Sequence, residues 1–337
     1  MRLGTFGLDV STDIVKEQRV ALLEEARAVF ESEGDDVGLA ECWRAEAEER
    51  WIACRAAETS EACEHALLHL ERAGATHGHI DRSIRHRLLR TLIFSPIPVD
   101  DALARVGELS RDDDGPLIRA GEQGVVGTLL SMKGEIDHAL ELVRGARRVF
   151  FDAGLPVLAG ALAITDATVE IRTGAWQQAE QTLSGAFADL EERGEHTYSS
   201  TLAAMLAIVL VSQGERAAAR RALDQARRVT ATDDLINFVF TGFVEGLLLA
   251  QEGRFPEAES IGREAVELAD RIDFCFGRPL AHSYFAETLA LVGKPEEAAR
   301  HAATALGILE GKGDVMLAAR VRERLDAFGI HIPEQVA

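Results

Sequence analysis

Residues 246–265 read GLLLAQEGRFPEAESIGREA, and this stretch contains the pattern that decides the fold. A small residue, Gly246, stands seven positions before a turn glycine, Gly253, and alanines follow at Ala258 and Ala265. The two alanines are seven residues apart, about two helical turns, which places both on one face of a helix. The stretch therefore predicts a helix, a glycine turn and a second helix packed closely on the first.

The same pattern recurs through the second half of the chain. Turn glycines stand at Gly134, Gly174, Gly214, Gly253 and Gly293, with spacings of 40, 40, 39 and 40 residues. Each is preceded by a small residue seven positions earlier and followed by alanines five and twelve positions later. Glycine closes a helix in the left-handed conformation at low cost, and small side chains let two helices cross closely. Such a period predicts stacked helix pairs that bury their apolar faces against their neighbours.

Each unit of the period divides into two helices. Further turn glycines, Gly154, Gly194 and Gly313, lie 20 residues after Gly134, Gly174 and Gly293. The period continues upstream with weaker markers. We predict an all-α array of about seven helix pairs with an unpaired helix at each end, the last beginning at residue 315. We expect the array to span residues 13–328, between an N-terminal extension (1–12) and a C-terminal tail (329–337).

The markers resemble those of the tetratricopeptide repeat (TPR), although that repeat has 34 residues. The turn GRFPEAE at residues 253–259 and the longer, proline-bearing turn SPIPVDDAL at 95–103 resemble those of extended TPR-like arrays. Such arrays lie at the C-terminal end of multidomain nucleotide-cyclase proteins with an AAA-type ATPase and of maltose-regulator-type transcription activators. The resemblance implies a right-handed TPR-like α-solenoid that binds proteins in signalling or transcription control.

Composition limits the class of partner. The 337 residues carry 56 acidic and 36 basic side chains, a formal net charge of -20, which disfavours direct binding to nucleic acid or to an anionic membrane. The four cysteines form no C-x-x-C pair, and the chain begins without a signal-peptide pattern, so we expect a cytoplasmic location. The resemblance to TPR-like arrays implies a protein or peptide partner.

No motif indicates catalysis. The sequence contains neither a G-x-x-x-x-G-K-[ST] phosphate loop nor a G-x-S-x-G nucleophile elbow. His65 and His69 are four residues apart and could share a metal ion on one helix face, but the H-E-x-x-H glutamate and a third ligand are missing. We therefore predict no catalytic residue, no metal site and no cofactor.

Two groups of residues are candidates for partner binding. In TPR-like arrays the first helix of each pair lines the concave face, and this resemblance selects Thr128, Thr168, Arg172, Phe240, Phe243, Gln251 and Glu287. Phe240 and Phe243 would either anchor a partner or be buried against Phe274 or Phe276. The second group, Arg82, Arg85 and Arg90, belongs to the basic segment RSIRHRLLR. This segment would either bind a carboxylate or phosphate or form a solvated helix face paired with glutamates.

Three functions remain open on sequence alone. The first is a non-catalytic scaffold that binds a protein or peptide on its concave face. The second is a regulatory domain whose curvature responds to a small ligand held in a closed pocket. The third is an enzyme or enzyme subunit built on a helical array. Self-association through an uncapped end of the array is a further possibility.

Overall fold

The computed structural model describes residues 16–231 and 234–331. Over these residues the chain forms sixteen α-helices and no β-strand. This confirms the all-α prediction, and the number of helices equals that of seven pairs with one further helix at each end. Residues 1–15 and 332–337, which contain the predicted N-terminal extension and most of the predicted tail, lie outside the described residues.

The chain divides into two compact units, residues 1–95 and 96–337, at the proline-bearing turn. The sequence predicted one array through this position. The first unit contains four helices: α1 (Lys16–Glu33), α2 (Asp36–Ile52), α3 (Ala56–Arg72) and α4 (His79–Phe94). Helices α2 and α3 form a close antiparallel pair, as the period predicts.

The second unit contains the other twelve helices. They are α5 (Val99–Leu109), α6 (Pro116–Lys133), α7 (Ile136–Asp152), α8 (Pro156–Thr173), α9 (Trp176–Glu192), α10 (Thr197–Ser212), α11 (Arg216–Val229), α12 (Leu235–Gln251), α13 (Phe255–Ala269), α14 (Gly277–Val292), α15 (Pro295–Lys312) and α16 (Val315–Ala327). Five pairs follow one another from α6/α7 to α14/α15. The first helices of these pairs are α6, α8, α10, α12 and α14.

Left-handed residues close the helices where the period predicts turns. At Gly174 φ is +72°, its amide donates to the Ile171 carbonyl, and the amide of Ala175 donates to the Glu170 carbonyl. This is a Schellman turn. Cys54 stands where the period expects a glycine and still adopts φ +56°, with the same pair of backbone hydrogen bonds. The turn therefore persists in the N-terminal part of the array, where the repeat markers are weaker and a cysteine replaces the glycine.

Small residues lie where helices cross, as predicted. The alanines five positions after the turn glycines are completely buried: Ala139, Ala179, Ala219, Ala258 and Ala298. A Cβ atom added to Gly246 of α12 would lie only 3.2 Å from the Gly262 backbone of α13. Larger side chains at these positions would separate the two helices of a pair.

Candidate partner-binding surface

The last helix of the second unit, α16, packs across several first helices instead of against a partner of its own. It contacts α6, α8 and α14 as well as the neighbouring α15. A Cβ atom on Gly134, at the end of α6, would lie 3.4 Å from Met316 Sδ, and one on Gly174, at the end of α8, would lie 2.9 Å from Arg320 Nη1. A helix of 13 residues is only about 20 Å long, so these helix ends converge on it. We call the surface that α6, α8, α10 and α14 present to α16 the inner face.

A buried ion pair fixes the beginning of α16 to the inner face. Arg172 of α8 donates from Nε and Nη2 to Asp314 Oδ2, at 2.9 and 2.8 Å, and each side chain is 1% exposed. The other carboxylate oxygen, Oδ1, accepts from the Leu317 amide at 3.0 Å and so caps the N-terminus of α16. Arg172 Nη1 donates to the Thr168 carbonyl. The Asp314 carboxylate thus neutralises the buried guanidinium of Arg172 and also accepts from a backbone amide in the first turn of α16, which has no partner within the helix.

A second ion pair fixes the end of α16. Arg324 donates to both carboxylate oxygens of Glu287 on α14, at 2.8 and 2.7 Å, and to Ser212 Oγ at the end of α10, at 2.7 Å. Its guanidinium carbon lies 4.4 Å from the centre of the Tyr284 ring. Burial alone would lower the pKa of Arg324, but the Glu287 carboxylate raises it above its usual value. Glu287 is fully buried, and Tyr284 Oη lies 2.8 Å from Ser212 Oγ, so connected polar groups hold this end of α16.

Apolar side chains fill the contact between the two ion pairs. Leu317, Ala318, Val321 and Leu325 of α16 are buried, at spacings that place them on one helix face. The opposite face of the helix is exposed and charged, with Arg322, Glu323 and Asp326. Helix α16 is therefore amphipathic, with an arginine and a carboxylate at the two ends of its apolar stripe.

The chain immediately before α16 is fixed separately. Lys312, the last residue of α15, is 1% exposed, and its Nζ donates to the carbonyl of Ile97 at 2.7 Å. Burial lowers the pKa of Lys312 to about 8. A Cβ atom on Gly313 would lie 3.8 Å from Val99. The end of α15 is thus anchored to the beginning of the second unit, and Gly313 alone separates that anchor from Asp314.

The structure places the predicted concave-face residues in two different environments. Arg172 and Glu287 lie on the inner face and bind α16, and the Thr168 carbonyl supports Arg172. Thr128 is buried within α6, where its hydroxyl donates to the Gly124 carbonyl, and Gln251 at the end of α12 is half-buried. The inner face is therefore not the open surface that the sequence suggested, because α16 covers it.

Phe240 and Phe243 are buried in the core, so of the two interpretations, partner anchor or buried residue, burial describes the structure. Phe240 is 3% exposed and lies edge-on to Phe276, with ring centroids 6.2 Å apart. Phe243 is 1% exposed and packs on Tyr284. Helix α12 is enclosed by α10, α13 and α14, which leaves neither ring accessible as an anchor for a partner.

The predicted binding arginines of the basic segment in the first unit each contact a different nearby group. Arg85 is buried and pairs with Asp81 one turn earlier at 3.0 Å. Arg90 lies over the Trp51 ring at 5.3 Å, and Arg82 Nη1 donates to the His77 carbonyl. Each of the three guanidinium groups has a contact of its own, which favours the interpretation of a helix face with its own partners.

An open cleft of about 600 Å³ lies between α7, α8 and α9. Arg147 of α7 and Asp166 of α8 line it and form an ion pair at 3.2 Å, and the exposed ring of Phe151 stands at its edge. Burial raises the pKa of Asp166, and Arg147 opposes this shift. The cleft is not the enclosed pocket with converging polar groups that the ligand-sensing hypothesis predicts.

His65 and His69, which are spaced as two metal ligands on one helix, each contact a different residue. His69 Nδ1 lies 2.7 Å from Asp36 Oδ1, whereas His65 stacks on Trp43. Within the described residues, no group of three or more His, Cys, Asp and Glu side chains could hold a metal ion.

The four cysteines are buried, and burial raises the pKa of Cys63 to about 12. None of the helices in the described part of the chain is both long and apolar enough to cross a membrane.

The sequence predicts α16 nearly to its observed bounds, but only as an unpaired end of the array. Its packing on the inner face was not predicted. The one local indication was Asp314, an N-cap residue directly after a turn glycine. The residue that Asp314 binds lies 142 positions away, so no local pattern connects the two.

Comparisons with known proteins found similar folds only. No family model matches the chain, and no curated protein matches it. Among solved structures, the apo form of the quorum sensor NprR from B. thuringiensis is similar at 13% identity, with a TM-score of 0.47, over 78% of this chain and 80% of that one. The Cut9-Hcn1 hetero-tetramer of the APC/C is similar at 14% identity, with a TM-score of 0.39, over 92% of this chain and 60% of that one.

A tetratricopeptide repeat protein from Parabacteroides merdae ATCC 43184 is also similar at 14% identity, with a TM-score of 0.38, over 79% of this chain and 94% of that one. Identities this low do not transfer a binding partner from any of these proteins to this chain.

Proposed function

We propose that this chain is a non-catalytic scaffold that binds a protein partner through the inner face of its second unit. One observation carries the proposal: the inner face already holds a helix, through two buried ion pairs and a stripe of apolar contacts. A surface formed by the ends of several rigid helices needs little ordering before it accepts a helix of complementary shape and charge.

The charged groups of this surface support binding rather than catalysis. Arg172 and Glu287 are each engaged by an opposite charge, and a general acid or base would need a titratable group open to a substrate. The resemblance of the repeat turns to those of regulatory arrays supports a role in signalling or transcription control, and four free cysteines support the cytoplasm as its location.

A selection of displayed helical peptides against the immobilised chain tests this function. We expect enriched peptides to bind at least tenfold more weakly to the Arg172→Gln and Glu287→Gln variants. The matched control is Arg144→Gln, on α7 and away from the inner face. Enriched peptides that bind all of these variants equally would show that the inner face is not the binding surface.

A further inference from the structure

Helix α16 occupies the very surface that the proposed function assigns to a partner. We propose that the partner is an amphipathic helix of the same type, with a carboxylate at its N-cap and an arginine ten residues later, and that α16 is a tethered competitor which this helix displaces. The inference rests on the proposed function, since it names the partner class and the regulation of the same site.

The buried charges of the inner face specify such a helix. With α16 displaced, the guanidinium of Arg172 would stand at one end of the site and the carboxylate of Glu287 at the other. The residues that pair with them, Asp314 and Arg324, are ten residues apart, or about 15 Å along a helix. A helix without these charges would leave two buried ions unpaired, and one docked in reverse would bring like charges together. The surface therefore selects both the charge pattern and the direction of the occupant.

The connection to α15 allows α16 to move alone. Lys312 is held by the carbonyl of Ile97, and Gly313, at φ +80°, is the one residue between that anchor and Asp314. Rotation at this glycine would swing α16 away and leave α15 in place. An isolated helix of 13 residues is only marginally stable in water. After it leaves the inner face, α16 therefore loses the contacts that stabilise its helical form.

The tether sets the strength of the competition. A segment joined by so short a link has an effective local concentration on the order of millimolar. A free helix with the same contacts must overcome this advantage. It can bind only the molecules in which α16 is undocked, so its apparent affinity falls in proportion to that fraction. Weakening only the contacts that α16 contributes should restore that affinity, because the inner face itself is unchanged.

The test measures binding of a labelled peptide of residues 313–330, GDVMLAARVRERLDAFGI, to the full-length chain by fluorescence anisotropy. The opened variant carries Asp314→Asn and Arg324→Gln, which leave Arg172 and Glu287 free for the peptide. The control variant carries Arg322→Gln and Asp326→Asn, the same two substitution types on the exposed face of α16. We expect the opened variant to bind the peptide at least tenfold more tightly than the wild type or the control.

The other outcomes separate this inference from the proposed function. Equal binding to all three chains, abolished by Arg172→Gln, would overturn the competition but leave the inner face as a binding surface. No binding to a folded opened variant would overturn both. A peptide in which the aspartate and arginine at positions 314 and 324 are exchanged should bind at least tenfold more weakly. Equally tight binding of that peptide would overturn the charge-specified partner.

Hydrogen exchange of the wild-type chain provides the test should the opened variant fail to fold, as judged by circular dichroism. An excess of isotopically labelled peptide should accelerate amide exchange in α16 and leave α14 unchanged, because only α16 is displaced. Exchange in α16 that matches α14, with or without peptide, would show that α16 leaves only when the whole unit unfolds, and would overturn the inference.

Discussion

The guanidinium of Arg172 donates from Nε and Nη2 to one carboxylate oxygen of Asp314, at 2.9 and 2.8 Å, in an ion pair between residues 142 positions apart. Both side chains are 1% exposed. The same carboxylate caps α16, so the start of the last helix and the neutralisation of a cation on α8 depend on one residue. Closing the inner face and forming α16 are therefore coupled events.

Removing one member of this pair should destabilise the second unit strongly. Arg172→Gln removes the cation that donates to the buried Asp314 carboxylate, and we expect a loss of about 3–5 kcal/mol in the free energy of unfolding. Urea denaturation of the full chain, followed by circular dichroism, measures the change.

A double substitution separates loss of the ion pair from the cost of keeping the Asp314 charge buried without Arg172. Arg172→Met with Asp314→Leu removes both charges, and we expect it to recover all but about 1 kcal/mol, the usual cost of losing an N-cap. A double variant as unstable as Arg172→Gln would contradict the assignment of that loss to a buried carboxylate that no longer faces Arg172.

The repeat architecture could be predicted because its determinants are local and periodic. A turn glycine needs only its own backbone conformation, and Ala258 needs only the helix that precedes it in sequence. Docking of α16 could not be predicted, because the pairing of Arg172 with Asp314 depends on how four successive helix pairs, from α8/α9 to α14/α15, are arranged. The environment of Phe240 was left open for a related reason: the sequence gives the helix face on which it lies, but not that α14 covers this face.

Two glycines with the same backbone conformation distinguish turn strain from contact with α16. Gly174 and Gly253 have φ of +72° and +79°, so alanine at either position should cost about 1–2 kcal/mol of stability. Only at Gly174 would the new Cβ meet Arg320, at 2.9 Å, whereas nothing lies within 4 Å of a Cβ at Gly253. We expect faster hydrogen exchange in α16 for Gly174→Ala alone. Equal exchange in the two variants would show that α16 adjusts freely to the added methyl group.

Glu287→Gln tests the ion pair at the other end of α16. The substitution keeps the shape of the side chain but removes the charge that binds Arg324, so we expect a loss of about 2–3 kcal/mol in chemical denaturation. The matched substitution Glu257→Gln breaks an exposed pair with Arg254 and should leave the denaturation midpoint unchanged. Comparable effects of the two substitutions would mean that burial of Glu287 adds nothing to the pair.

A pair of histidines on α14 and α15 should make stability depend on acid pH. His282 Nδ1 lies 2.9 Å from His301 Nδ1, and His282 Nε2 lies 3.1 Å from Asp270 Oδ1. Because a carboxylate only accepts, His282 Nε2 carries the proton; its Nδ1 then accepts from the Nδ1–H of His301. Since one of the two facing Nδ1 atoms must accept, at least one of the two imidazoles must be neutral for this chain of hydrogen bonds to form.

Burial, reinforced by the neighbouring His282, lowers the pKa of His301 to about 4, and burial also lowers the pKa of His282. A pKa below the ordinary value of about 6.5 means that folding favours the neutral form. The resulting contribution is complete above pH ~6.5 and is lost as the pH falls towards 4. We expect His301→Gln to flatten the pH dependence of the unfolding free energy across this window, and His79→Gln, at an exposed position, to leave it unchanged. If His301→Gln keeps the wild-type slope, other groups must cause the acid sensitivity, because a glutamine at position 301 takes up no proton in this range.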